Sequence, residues 1–251
     1  MPDTKDHIVS SFDKELRTIH EIIIRMGGMA ENQLAEAVDA LVQRDSAKAE
    51  LVRAEDAKID ALEEELESAV VQLIALRQPV ANDLRAVISA LKISSDLERI
   101  GDYAKNIAKR SIAINQMPPQ KSVTSIMRMS RLVQEIVKDT LDAFSNSDKD
   151  RAIDVWHRDE EVDEMYTSLF RELLTYMMED PRNISACTHM LFIAKNIERM
   201  GDHATNIAET IYYLSTGARL EGKRPKGDRT SFQVLSPNSD APDNNDSEIE
   251  I

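Results

Sequence analysis

A single cysteine, Cys187, excludes an intramolecular disulfide, and without a Cys/His cluster there is no zinc-finger spacing. Seven glycines and eight prolines, several of them near the C-terminus, leave too few turn signals for a β fold. Aromatic content is only 4%, which is low for a sandwich or barrel core. No run of about 18 uncharged apolar residues could span a bilayer, and Met1-Pro2-Asp3-Thr4-Lys5-Asp6-His7 has no apolar signal core, so a cytosolic protein is expected. Basic residues are in deficit: the net charge is −14, and removing the five acids of residues 231–251 (Asp240, Asp243, Asp246, Glu248, Glu250) still leaves −9. A body of that sign is a poor ligand for nucleic acid or an anionic membrane and a reasonable one for cations or basic protein patches.

What is plentiful is Leu, Ile, Ala, Met and charge at helical spacing. Leu16, Ile19, Ile23, Met26, Ala30, Leu34, Ala37 and Leu41 recur at three and four, which predicts one long amphipathic helix crossed by Gly27-Gly28. Asp45-Ser46 offers a capping turn. A second helix follows on the seam Val52, Ile59, Leu62, Leu66, Ala69, Leu73 and Leu76, ending before Pro79. The third starts near Asn82 on Ala86, Ala90, Ile93, Leu97, Ile100, Ala104 and Ile107. Leu84, Ile88 and Leu91 on its other side predict that its first half is buried on both faces. After Asn115-Gln116-Met117-Pro118-Pro119 the pattern restarts. Seams on Ile126 to Phe144, Val155 to Leu173 and Ala186 to Leu214 give three more helices, with Asp180-Pro181 as a start and Gly217 as a stop. The expectation is an all-α fold of six long helices in two tandem, repeated three-helix bundles, residues 1–117 and 118–221. From Lys223-Arg224-Pro225-Lys226-Gly227 onward the chain loses periodicity, so 222–251 is expected to be a disordered acidic tail.

The two halves share a signature. Glu98-Arg99-Ile100-Gly101-Asp102-Tyr103-Ala104-Lys105-Asn106-Ile107-Ala108 returns, 100 residues later and without a gap, as Glu198-Arg199-Met200-Gly201-Asp202-His203-Ala204-Thr205-Asn206-Ile207-Ala208. On a helix, Glu98, Asp102 and Asn106 stack along one face, as do Glu198, Asp202 and Asn206. Two carboxylates at i, i+4 repel by a few tenths of a kcal/mol, and a mid-helix Gly costs about 1 kcal/mol against Ala. A chain that accepts both costs twice, in register, gains something from them. Either a cation sits between the acids, or a neighbouring backbone comes close at Gly101 and Gly201.

A second acid pair precedes each signature. Asp56/Asp60 and Asp159/Asp163 lie at the same angle from the seam residues Ile59 and Val162, about 60° to 100° round the helix. Asp56/Asp60 with Glu98/Asp102, and Asp159/Asp163 with Glu198/Asp202, would then face each other across antiparallel helices, and converging carboxylates need cations. Oxygen-only ligation points to Mg²⁺, Mn²⁺, Fe or Zn without choosing among them. Asn106 and Asn206 extend the acidic face; Arg99 and Arg199 are expected to pair with acids on adjacent helices.

The enzyme classes such a bundle could host are poorly served. There is no G-x-x-x-x-G-K-[ST] loop, no Ser/His/Asp set, and no Glu-x-x-His element of the di-iron carboxylate bundles. The alternatives left open are a carboxylate-bridged metal hydrolase or oxidase, and a metal-free scaffold whose acids stay solvated. Cys187 reads as a buried thiol and the seam methionines as core filling.

With these residues in place the chain resembles the PhoU family of phosphate-specific transport accessory proteins over residues 8–218. The likeness rests on Met26-Gly27-Gly28-Met29, Arg77-Gln78-Pro79 with Asp83-Leu84-Arg85, Tyr176-Met177-Met178-Glu179-Asp180, and the paired Glu-Arg-x-Gly-Asp motifs. It implies two three-helix bundles, multinuclear metal sites on Glu/Asp-x-x-x-Asp pairs, a cytosolic homodimer and no catalysis. It also implies negative regulation of phosphate uptake and of the phosphate-starvation response, through contacts with the ATPase subunit of the phosphate ABC transporter and a PhoR-type sensor histidine kinase.

Overall fold

The computed structural model describes residues 4–119, 122–222 and 224, with side chains from Phe12 onward. The first repeat is α1 (Thr4–Gln43), α2 (Ser46–Arg77) and α3 (Asn82–Asn115); the second is α4 (Val123–Asn146), α5 (Lys149–His157), α6 (Asp159–Glu179) and α7 (Ile184–Thr216). No strand occurs among the described residues. The all-α expectation holds, with one change: the fifth helix is two. It breaks at Arg158 (φ −76°, ψ −6°), whose guanidinium pairs with Asp139 Oδ2 at 2.8 Å and Glu135 Oε2 at 3.1 Å. Asp159, Glu160 and Glu161 thereby open α6, where the helix dipole favours negative charge.

The ends follow from local chemistry. Asp45 caps α2 by accepting from the Lys48 backbone N–H at 2.9 Å, and Asp148 caps α5 by accepting from Asp150 and Arg151. Arg44, at φ 56°, turns the chain between α1 and α2 and donates to the Asn115 carbonyl at 2.7 Å and to that of Met117, so one cation closes the end of α3. α2 stops at a left-handed Gln78 ahead of Pro79. Asp180 caps a 3₁₀ turn over Pro181–Asn183 that leads into α7, and Gly217 at φ 76° ends it.

α1, α3, α4 and α7 form the centre; α3 packs along α7 and α1 along α4, while α2 covers one flank and α5 with α6 the other. Gly27 permits the α1–α4 approach, since a Cβ there would fall 2.1 Å from Leu141 Cδ2, and α1 passes through it unbroken. One buried apolar cluster runs through both repeats, and Cys187 lies within it. Two seam expectations fail. Leu76 is 64% exposed, and Leu84 and Ile88 are 40% exposed, Ile88 lining an open cavity with Trp156 of α5 and Tyr213 of α7 instead of packing against them. The expected tail, 222–251, lies outside the described residues apart from Gly222 and Arg224.

Candidate functional site

In the first repeat Asp56, on the inner side of α2, is 2% exposed, while Asp60 one turn on is exposed. Facing them on α3 are Glu98 and Asp102, both half-buried. Lys105, one turn beyond Asp102, joins the helices: its Nζ donates to Asp56 Oδ2 and stands 3.5 Å from Asp102 Oδ1. Glu63 of α2 lies on the same face, where its field acts on Glu98. From α1 comes Gln33, which is 2% exposed and has no hydrogen-bond partner for either amide atom among the described residues. Its Oε1 is 3.3 Å, and Asp56 Oδ1 3.6 Å, from where a Cβ on residue 101 would be. Gly101 therefore makes room for side chains, Ile59 Cδ1 (2.9 Å) first among them, and not for a neighbouring backbone.

The second repeat repeats the plan with different partners. Asp159 and Asp163 on α6 are both 3% exposed, and Glu198 on α7 is 5% exposed. Position 205, equivalent to Lys105, is Thr205, whose hydroxyl donates to the Gly201 carbonyl at 3.0 Å and reaches Asp159 Oδ1 at 3.3 Å. The missing cation is supplied by Arg224. Its Nε donates to Asp159 Oδ2 at 2.7 Å, and its Nη2 to Asp159 Oδ1 and Asp202 Oδ1, both at 2.8 Å. Nη1 donates to Asn206 Oδ1 at 3.1 Å, and Nη2 also reaches the Asp202 carbonyl at 3.2 Å. Where Gln33 stands in the first repeat the second has Val133, and Gly201 meets only ordinary contacts there, Val162 at 3.5 Å and Val133 at 3.8 Å.

Burial and mutual repulsion raise the proton affinity of both pockets. The Glu98 carboxyl is pushed up to about 7, by desolvation first and then by Asp102, Glu63 and Asp60, against Arg99. Glu198 is likewise pushed up to about 7 by desolvation, with Asp202 and Asp163 adding and Lys195 opposing. Lys195 Nζ holds Glu198 Oε1 at 2.8 Å beneath the Tyr166 ring, and Glu198 Oε2 is buried with no hydrogen-bond partner among the described residues. Asp60 and Glu63 are raised too, each by desolvation before charge.

The four acids of each half therefore do share one face across two helices. The flanking residues behave otherwise than expected. Arg99 pairs within its own helix, with Asp102 at 3.2 Å and Glu98 at 3.4 Å, while its charge also acts across to Glu63 of α2, and Arg199 lies 5.9 Å over the Tyr103 ring. Asn106 is exposed, whereas Asn206 is engaged by Arg224 and donates to Asp96 Oδ1 at 3.4 Å. His203 hydrogen-bonds Asp96 of α3 at 2.7 Å and so joins the repeats.

As the side chains stand, no three His, Cys, Asp or Glu residues among those described are gathered closely enough to hold a metal ion. The donor chemistry nevertheless suits a hard cation: buried carboxylate oxygens from two helices, an unpartnered Glu198 Oε2, an unpartnered Gln33 amide, and a positive nitrogen already shared between Asp159 and Asp202. Periodicity does not single out Lys105, Arg224, Gln33 or Glu63. Gln33 is nonetheless detectable, being polar at a seam spacing between Ala30 and Ala37.

The PhoU domain family model matches this sequence twice, over residues 23–111 and 126–211. The chain belongs to the PhoU family. A phosphate-specific transport system accessory protein PhoU homolog of Caulobacter vibrioides is 54% identical over 224 residues, 89% of this chain and 97% of that protein. The homolog of Rhizobium meliloti is 50% identical, covering 90% and 95%. Among solved structures, PhoU from Pseudomonas aeruginosa superimposes with a TM-score of 0.81 at 40% identity, over 82% of this chain and 100% of that one. The phosphate transport system regulatory protein PhoU from Streptococcus pneumoniae gives 0.77 at 32% identity, over 84% and 99%. Each PhoU match contains one complete acid quartet. Arg224 falls outside both.

Proposed function

We propose that this protein is a non-catalytic regulator of phosphate homeostasis, restraining uptake by a phosphate ABC transporter and the phosphate-starvation two-component response through protein contacts. The observation that carries the reading is PhoU membership across both repeats, with relatives named as accessory proteins of phosphate-specific transport. The partners that fit are the transporter's ATPase subunit and a PhoR-type sensor kinase, met on the cytoplasmic side by a homodimer. Among the described residues no helix is long and apolar enough to cross a membrane, so membrane proximity would come through those partners.

The acid quartets are read as cation sites that stiffen the helices presenting the binding surface. Asp56, Asp60, Glu98 and Asp102 would hold one cation group, and Asp159, Asp163, Glu198 and Asp202 the other, with Mg²⁺, Mn²⁺, Fe and Zn all compatible with oxygen donors. A bound cation would supply charge that relieves carboxylate repulsion between α2 and α3 and between α6 and α7. Gly101 keeps side-chain bulk off the inner face of α3, Gly201 holds the equivalent place on α7 without that constraint, and Arg99 and Arg199 flank them. A metal-free scaffold is the second reading, favoured by the fact that Lys105 and Arg224 already neutralise part of each pocket. A pull-down of ATPase subunit and kinase from membranes at high and low phosphate tests the regulatory reading. Capture of both that changes with phosphate is expected; capture of neither under either condition would overturn it.

A further inference from the structure

We propose that Arg224 is a tethered competitor for the second acidic pocket: its guanidinium stands where a divalent cation would sit between α6 and α7, and a cation entering the pocket displaces it together with the segment that carries it. The inference rests on the cation-site reading above and adds to it a difference between the two pockets.

The two repeats supply their internal cation differently. Lys105 is built into α3, three residues from Asp102 and on the same helix, so it cannot leave the neighbourhood of its pocket. At the equivalent position α7 has Thr205, which brings no charge, and the positive group arrives from 22 residues beyond Asp202. Two glycines shape that return. Gly217 (φ 76°) ends α7 and Gly222 (φ 111°) lies in a region that side chains rarely adopt. From Thr216 back to Asp202 is about 21 Å along the helix, and eight extended residues span at most about 29 Å, so the connection is long enough to bring Arg224 back to the pocket. Its anchor is the guanidinium fork on Asp159, with one nitrogen shared by Asp202.

That geometry is a substitute cation. The fork binds Asp159 through both carboxylate oxygens and bridges to the opposite helix, as a metal ion between the same two side chains would. Arginine carries one positive charge, however, and Glu198 Oε2, one turn before Asp202 on α7, is still buried with no hydrogen-bond partner among the described residues. A divalent ion brings twice the charge and accepts more oxygen donors. Exchange of one for the other releases Arg224 from Asp159 and Asp202 and so unties the turn after Gly217, whereas Lys105 of the first pocket stays fixed to α3.

The test uses the full-length protein and Mn²⁺. Calorimetric titration of the wild type, Arg224→Ala and Arg224→Lys, each repeated with Asp102→Ala to silence the first pocket, reads the second pocket alone. Affinity at least tenfold higher in Arg224→Ala, with Arg224→Lys between, is expected. Trypsin cleavage after the exposed Arg219 gives an independent readout. Mn²⁺ is expected to speed it several-fold in the wild type, and Arg224→Ala is expected to be cut at the faster rate without Mn²⁺. Equal Mn²⁺ affinity in wild type and Arg224→Ala, or cleavage indifferent to Mn²⁺, would overturn the competition while leaving the cation site in place. No Mn²⁺ bound at either pocket of any variant would overturn both.

Discussion

Replacing Glu198 by Gln isolates the cost of the second pocket's buried charge. Glu198 is 5% exposed, receives one hydrogen bond from Lys195, and has its carboxyl pushed up to about 7 against an ordinary 4.5. An acid whose folded pKa lies above its unfolded one keeps its proton in the native state over a range where the unfolded chain has lost it. The native state then binds more protons between pH 4.5 and about 7, so stability falls as pH rises through that window and levels off above it. Roughly 2.5 pK units at about 1.36 kcal/mol each set a ceiling of about 3 kcal/mol. Gln has no proton to lose, and Glu98, unchanged in both proteins, cancels from the comparison. With chelator present, the stability of Glu198→Gln relative to wild type is expected to improve by as much as about 3 kcal/mol from pH 5 to pH 8.5. For a chain of this size that is about 6–12 °C in melting temperature. The Lys195 pairing is already contained in the shifted value, and any fixed difference between neutral Glu and Gln drops out because only the change with pH is read. Thermal melts at four or five pH values measure it. A difference that stays constant from pH 5 to 8.5 would refute the reasoning, since it would mean that Glu198 is ionised in the native state throughout.

Gly201→Ala is expected to stabilise the protein in urea by about 0.5–1 kcal/mol, because the new methyl meets only ordinary contacts and helix propensity improves. Gly101→Ala is expected to lack that gain or to lose stability, since its methyl would press on Ile59 at 2.9 Å and on Gln33. Arg44→Ala removes charge-assisted hydrogen bonds to the carbonyls of Asn115 and Met117 and is expected to cost about 1–2 kcal/mol, visible as a lower urea midpoint with an unchanged slope.

Much of the architecture is legible from spacing because the apolar seams are long and a helix of thirty residues samples its period many times. Residues such as Ile23, Leu66, Ile93 and Ile197 are buried where the period puts them. The caps at Asp45, Asp180 and Gly217 are legible for a different reason, since each depends on one side chain or one φ value. The break at Arg158 escapes the period because Val155 and Val162, seven residues apart, keep the same face on both sides of it. Leu84 and Ile88 mislead because an apolar face does not say whether a neighbour covers it.

The acid quartets are legible as a duplication; their partners are not. Comparing repeats draws the eye to what they share, and Lys105 opposite Thr205, or Gln33 opposite Val133, is where they differ. Arg224 stands in an aperiodic stretch that carries no pattern at all, yet it makes five hydrogen bonds to Asp159, Asp202 and Asn206 in the second pocket. Long-range pairing of a single side chain leaves no trace in local periodicity.

The most direct measurement is the metal content of the wild-type protein and of Asp102→Ala combined with Asp202→Ala, both isolated without chelator and analysed by mass spectrometry after loading with Mn²⁺. The wild type is expected to retain Mn²⁺ in both quartets, and the double variant to remain helical and lose most of it. Equal retention in the two proteins, or none in the wild type, would contradict the assignment of these carboxylates as cation sites.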